Sequence, residues 1–146
     1  DNVLEGVGYL PQAYISPPVF GFADVSEYFV YDPESAAALL DEAGWTDSDG
    51  DGIRDKDGEP LSLLHYSSRG RYLKDAEVAE AFQAAMRELG IDVKLEILEW
   101  ATLFEQLRQP NFPADFFTLG WSTATGDADY TLGPIFGSDS IPPAGW

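Results

Sequence analysis

The chain has 146 residues, 45% of them apolar and 14% aromatic, enough for one folded domain with a real core and too apolar for a disordered chain. Eight basic residues stand against 26 acidic ones, a formal charge of −18, and that field repels nucleic acid and anionic membrane. The absence of cysteine excludes a disulfide framework and a thiolate metal site.

Residues 1–31 carry no hydrophobic period. Pro11, Pro17 and Pro18 break any helix, and Tyr9, Tyr14, Phe20, Phe22, Tyr28, Phe29 and Tyr31 are scattered between them. This stretch reads as an irregular, surface-running segment that cannot build a core alone. Asp32-Pro33-Glu34 then starts a helix: a capping carboxylate, Pro at the first helical position and an acid in the first turn. Ala36, Leu39, Leu40 and Ala43 fall on one stripe of that helix, and Gly44 stops it.

Residues 46–60 form a polar loop. Asp47, Asp49 and Asp51 alternate ahead of Gly52, Ile53 and Asp55, the opening pattern of a calcium loop, in which Ile53 would lend its carbonyl. The twelfth position, where such loops place a bidentate Glu, is Gly58. A solvated turn explains the same residues, since Asp57-Gly58 is also a hairpin signal. A calcium ion bound here would be structural, because no catalytic group flanks the loop.

From residue 61 the pattern is strand, helix, strand, helix, strand. Leu61–Tyr66 reads as a buried strand, Ser67–Tyr72 as a loop, and Asp75–Leu89 as a helix with Val78, Ala79, Phe82, Ala85, Met86 and Leu89 inward. Ile91, Val93, Leu95 and Ile97 alternate with polar residues as in a half-buried strand; Thr102–Arg108 is a short helix; Phe116–Gly120 is a third strand. The expected fold is therefore α/β: β-α-β units with a mainly parallel sheet flanked by helices, in a single domain spanning residues 1–146.

Ligands of open parallel sheets sit beyond the carboxyl ends of the strands. Two clusters fall there. Arg69-Gly70-Arg71-Tyr72 places a guanidinium, which suits a carboxylate, at the start of a helix. Gly120-Trp121 opens a loop with Ser122, Thr123, Thr125, Asp127 and Asp129, in which Trp121 offers a flat wall and either Asp could hold an amine or cap the next helix. The candidate ligand residues are thus Arg71, Tyr72, Trp121, Ser122, Thr123, Thr125, Asp127 and Asp129. His65 is the only His and reads as a hydrogen-bonded core residue. No nucleophile–base pair is evident, so binding is preferred over catalysis, and no catalytic residue or organic cofactor is assigned.

Several stretches resemble one family: Tyr31-Asp32-Pro33-Glu34 with Leu39-Leu40-Asp41-Glu42-Ala43-Gly44-Trp45; Asp49 through Gly58; Gly90-Ile91-Asp92-Val93-Lys94-Leu95 with Glu99-Trp100; and Leu119-Gly120-Trp121, followed by Ser140-Ile141-Pro142-Pro143. They resemble the extracytoplasmic solute-binding proteins of peptide- and nickel-type ABC importers (family 5). The resemblance implies a type II periplasmic-binding-protein-like lobe. It implies that the chain is an excised carboxyl-terminal lobe, monomeric as a fragment, of a longer two-lobed protein. That protein would work in the periplasm or outside the cell, associated with the membrane through other parts. It would have no enzymatic activity and would capture a small peptide or related solute for a membrane permease. Peptide binders of this family commonly carry an Asp three residues after the Gly-Trp tryptophan; here Ala124 stands there, and the surrounding run looks more like the glutathione-type branch. The alternative reading, carried by the Asp47–Asp55 loop alone, is a calcium-stabilised structural or adhesion module.

Overall fold

A computed structural model describes residues 3–140. The Ile141-Pro142-Pro143 part of the family-like ending lies outside them. Two compact units are present, residues 31–100 with 113–118 and residues 1–30 with 101–112 and 119–146.

The first of these is built on a parallel sheet. Its strands are β3 (Ser62–Arg69), β4 (Asp92–Glu99) and β5 (Phe116–Phe117), in the order β4-β3-β5, and α2 (Asp75–Glu88) connects β3 to β4. A small antiparallel hairpin of β1 (Asp55–Lys56) and β2 (Glu59–Pro60) precedes the sheet. Its turn is Asp57-Gly58, both at positive φ (55° and 82°), as the Asp-Gly pair predicts. The helix α1 (Pro33–Glu42) begins as expected, with Asp32 accepting from the Ser35 amide at 2.9 Å and from its hydroxyl at 2.6 Å. No residue of α1 is buried, however, and Leu39 of the expected inward stripe is 64% exposed.

β3 runs further than its composition suggests. Ser67, Ser68 and Arg69, read as loop, pair in parallel register with Ile97, Leu98 and Glu99. Both serines are buried: Ser68 donates its hydroxyl to Asp75 at 3.0 Å, while Ser67 Oγ has no hydrogen-bond partner among the described residues. β5 is shorter than expected, since the pairing ends at Tyr66↔Phe117. The core beneath β3 is aromatic. His65 is 1% exposed, stacks on Phe116 at 4.4 Å, meets the edge of Phe82 from α2, and bonds Thr118 through Nε2 at 2.8 Å.

Arg54 ties the helix ends of this unit together. Its Nε donates to Leu89 O at 2.7 Å, closing the carboxyl end of α2, while Nη1 donates to Trp45 O at 2.7 Å and pairs with Asp41. Gly90 sits at φ +78° directly against it; a Cβ there would stand 2.9 Å from Arg54 Cγ.

The other unit contains the irregular amino-terminal segment, residues 101–112 with most of α3 (Trp100–Leu107), and α4 (Asp129–Phe136). Leu103 and Leu107 of α3 are buried. Ile15, Val19 and Ala128 form a small core with Ala13 and Phe22 against it. A parallel bridge holds the segment: Phe20 N donates to Gly126 O and Ala128 N donates to Phe20 O, both at 2.9 Å. No helix among the described residues is long and apolar enough to cross a membrane.

Candidate functional site

At the carboxyl end of β3 the chain turns sharply around one carboxylate. Asp75, only 6% exposed, accepts from the amides of Gly70 (3.0 Å), Arg71 (2.9 Å) and Tyr72 (3.1 Å) and from the Ser68 hydroxyl (3.0 Å). Burial works against its charge, but the amides of Tyr72, Arg71 and Gly70 and the Ser68 hydroxyl outweigh it and hold the carboxyl well below the usual range. This knot fixes the backbone that carries Arg71 and Tyr72.

The side chains then point away from the knot. The Arg71 guanidinium lies 5.0 Å from the Trp100 ring centroid and 5.8 Å from that of Tyr72, and the two rings meet edge to face at 5.9 Å. Trp100 follows immediately on β4, so Arg71 and Trp100 stand beyond the carboxyl ends of neighbouring parallel strands. Arg71 is exposed, and no carboxylate lies within ion-pairing distance of it among the described residues. In so acidic a chain, that leaves a planar, charged fork available to a ligand anion.

In the unit of the amino-terminal segment, Trp121, Ser122 and Thr123 line an open cleft of about 490 Å³. The rest of the lining comes from the amino-terminal segment, including Tyr9, Gln12, Tyr14 and Ser16. Tyr14 is held by Phe29 (5.5 Å, edge-on) and Phe136 (5.2 Å), and Trp121 lies 6.0 Å from Tyr130. Thr123 Oγ1 bonds Thr131 Oγ1 at 2.7 Å, which pins the loop to α4. Thr125, Asp127 and Asp129 are not part of the cleft wall. Thr125 Oγ1 accepts from the Asp127 amide at 3.4 Å, and Asp127 accepts from the Asp129 amide at 3.0 Å, so these residues shape the start of α4. The residue at the helix cap is Ala128, and neither Asp caps α4.

The Asp47–Asp55 loop is likewise organised by its own backbone. Asp47 accepts from Gly50 N (2.8 Å) and Gly52 N (3.0 Å), Asp49 from Asp51 N (3.2 Å) and Asp51 from Ile53 N (2.7 Å). Carboxylate oxygens of Asp47, Asp49 and Asp51 come within 4.8 Å of one another, an arrangement that could hold a hard cation. Asp55 is turned to Ser48, whose amide and hydroxyl hold its carboxyl below the usual range. Ile53 is buried.

A model of the bacterial extracellular solute-binding proteins, family 5 (Middle), matches residues 1–142. The oligopeptide-binding protein AppA of Bacillus subtilis is 36% identical over 134 residues, 90% of this chain and 24% of AppA. The nickel-binding periplasmic protein of Escherichia coli is 35% identical over 113 residues, 77% of this chain and 21% of that protein. The structure of B. subtilis AppA in complex with a nonapeptide superposes with a TM-score of 0.76 at 36% identity, covering 85% of this chain and 25% of AppA. The chain thus spans about a quarter of the length of the curated relatives it matches. The mixed α/β architecture with its parallel sheet is that of type II periplasmic binding proteins, and the chain belongs to the family 5 extracellular solute-binding proteins.

Proposed function

We propose that this chain is the carboxyl-terminal lobe of the substrate-binding component of an ABC importer, capturing a peptide-like or other small solute and delivering it to a membrane permease. The observation that carries this reading is the Arg71 fork, which lies over Trp100 at the carboxyl edge of the sheet with no carboxylate within ion-pairing distance among the described residues. Arg71 takes an anionic group of the solute, Tyr72 borders it, and Trp121 with Ser122 and Thr123 forms a second contact region. Asp127, Asp129 and Thr125 act by shaping that loop. The component works in the periplasm or at the cell exterior, attached through parts outside this chain, and performs no chemistry on its solute. Two relatives carry names for ligands as different as an oligopeptide and nickel, and Ala124 stands where an amine-holding Asp is common, so family membership alone does not choose the solute. The family match does not favour a calcium-stabilised adhesion module.

Closure of two lobes on a ligand makes each lobe half a site. Equilibrium dialysis against solutes recovered from the full-length protein tests the reading. The isolated 146-residue chain should bind them at least a hundredfold more weakly than the full-length protein; equal affinity would refute the half-site reading.

A further inference from the structure

The arc of residues 70–74 belongs neither to β3 nor to α2, yet it carries Arg71. Two of its residues hold left-handed backbone, Gly70 at φ +76° and Lys74 at φ +52°. A non-glycine residue stays in that region only where its surroundings impose it. Lys74 stands at the cap position of α2 and makes no side-chain cap bond there. What imposes the shape is the buried carboxylate of Asp75. Its Oδ1 accepts from the amides of Gly70 and Ala76, both at 3.0 Å. Its Oδ2 accepts from the amides of Arg71 (2.9 Å) and Tyr72 (3.1 Å) and from the Ser68 hydroxyl (3.0 Å). An ionised carboxylate is an acceptor only, so all of these donors converge on it without conflict.

We propose that Asp75 is a positioning residue of the solute site: it acts through Arg71, holding the arc in the shape that sets the guanidinium beside Trp100 before any solute arrives. This rests on the reading of Arg71 as the group that takes the solute's anion. The guanidinium lies 5.0 Å from the Trp100 ring centroid, and Trp100 follows the neighbouring strand, so a turn of the arc's backbone carries the fork off the ring. A fork already in place asks less ordering of the complex than one assembled on binding, and the difference appears as affinity. The same bonds decide what meets the anion. The amides of Gly70, Arg71 and Tyr72 are taken by the protein's own carboxylate, which leaves the recognition to the guanidinium.

The probe is the small molecule released when the purified full-length protein is denatured, identified by mass spectrometry and titrated back by calorimetry. Asp75→Asn keeps the shape of the side chain but turns an amide donor toward donors. It should weaken binding about tenfold or more, and less than about twofold when Arg71→Met is already present, because the fork it positions is then gone. Wild-type affinity in Asp75→Asn overturns the proposal. So does an equal loss with and without Arg71, which marks a general loosening of the fold. Gly70→Ala strains the arc by another route, since an added Cβ meets nothing within 4 Å but must adopt φ +76°. It should weaken binding about threefold or more, again only with Arg71 present, and it decides the matter if Asp75→Asn does not fold. Unchanged affinity in Gly70→Ala then overturns the proposal. Loss of binding in Arg71→Met alone overturns this inference and leaves the reading of Arg71 standing. Wild-type affinity in Arg71→Met, or no small molecule released, overturns that reading and the inference with it.

Discussion

The guanidinium of Arg71 lies over the indole of Trp100, 5.0 Å from the ring centroid, and the two residues leave the sheet at the ends of adjacent parallel strands. A cation over an indole gains about 0.5–1 kcal/mol at an exposed site. A double-mutant cycle pairing Arg71→Met with Trp100→Leu should return a coupling in that range by urea denaturation. Zero coupling would mean that the stack does not hold the fork. Arg71→Lys should weaken solute binding by the full-length protein more than tenfold, because an ammonium has neither the planar fork nor the stack.

Asp75 should be the most consequential carboxylate of its unit. Asp75→Ala strips four amides and a hydroxyl of their acceptor and should cost roughly 2–3 kcal/mol. Its folded-state pKa lies below the ordinary 3.8, so its contribution is complete above that value and disappears as the pH falls through the folded value. Stability of Asp75→Ala should therefore fall less steeply than wild type below pH 3.8. Parallel acid curves would contradict the knot.

His65 works in the same direction for a different reason. Burial lowers its pKa from 6.5, and its Nδ1 has no hydrogen-bond partner among the described residues, so the folded state disfavours the imidazolium. Below pH 6.5 the unfolded chain takes up this proton before the folded one, and stability falls. His65→Leu keeps the apolar contacts, gives up the Thr118 bond at about 1 kcal/mol, and should flatten the stability curve just below pH 6.5. The comparison is thermal melting at intervals between neutral pH and pH 5.

Arg54 and Gly90 form a single structural joint. Gly90→Ala forces a side chain into the left-handed region and against Arg54, which should cost about 1–2 kcal/mol before any displacement of the guanidinium. Arg54→Ala leaves the Leu89 and Trp45 carbonyls without this donor and should cost about 2–3 kcal/mol. If the joint is one unit, the two substitutions together should cost clearly less than their sum.

The parts of the fold with a period or a cap were legible in the residues. Asp32-Pro33 announced α1, the alternation from Ile91 to Ile97 announced β4, and Asp57-Gly58 announced the hairpin. Ser67 and Ser68 misled because hydroxyl residues resemble a loop; what makes them strand is their pairing with Ile97 and Leu98 of β4, a nonlocal fact. Leu39 misled because a helical stripe states which face is apolar and not what covers it. Arg71 and Trp121 could be singled out by charge scarcity and by position after a strand. The wall made by Tyr9, Gln12, Tyr14 and Ser16 could not, since an aperiodic, proline-broken segment gives no sign of which side chains converge. The Asp75 knot was latent in the Ser68-Arg69-Gly70 turn ahead of an acid at a helix start, a pattern that spacing alone does not separate from an ordinary first-turn Asp.

The most direct measurement is native mass spectrometry of the full-length protein as purified, followed by denaturation and identification of what is released. The account predicts a small solute bound one to one, retained by wild type and lost from the Arg71→Ala, Trp121→Ala double variant while that variant stays folded. A protein that carries no solute and takes up none from cell extract, or a double variant that retains it fully, would contradict the account.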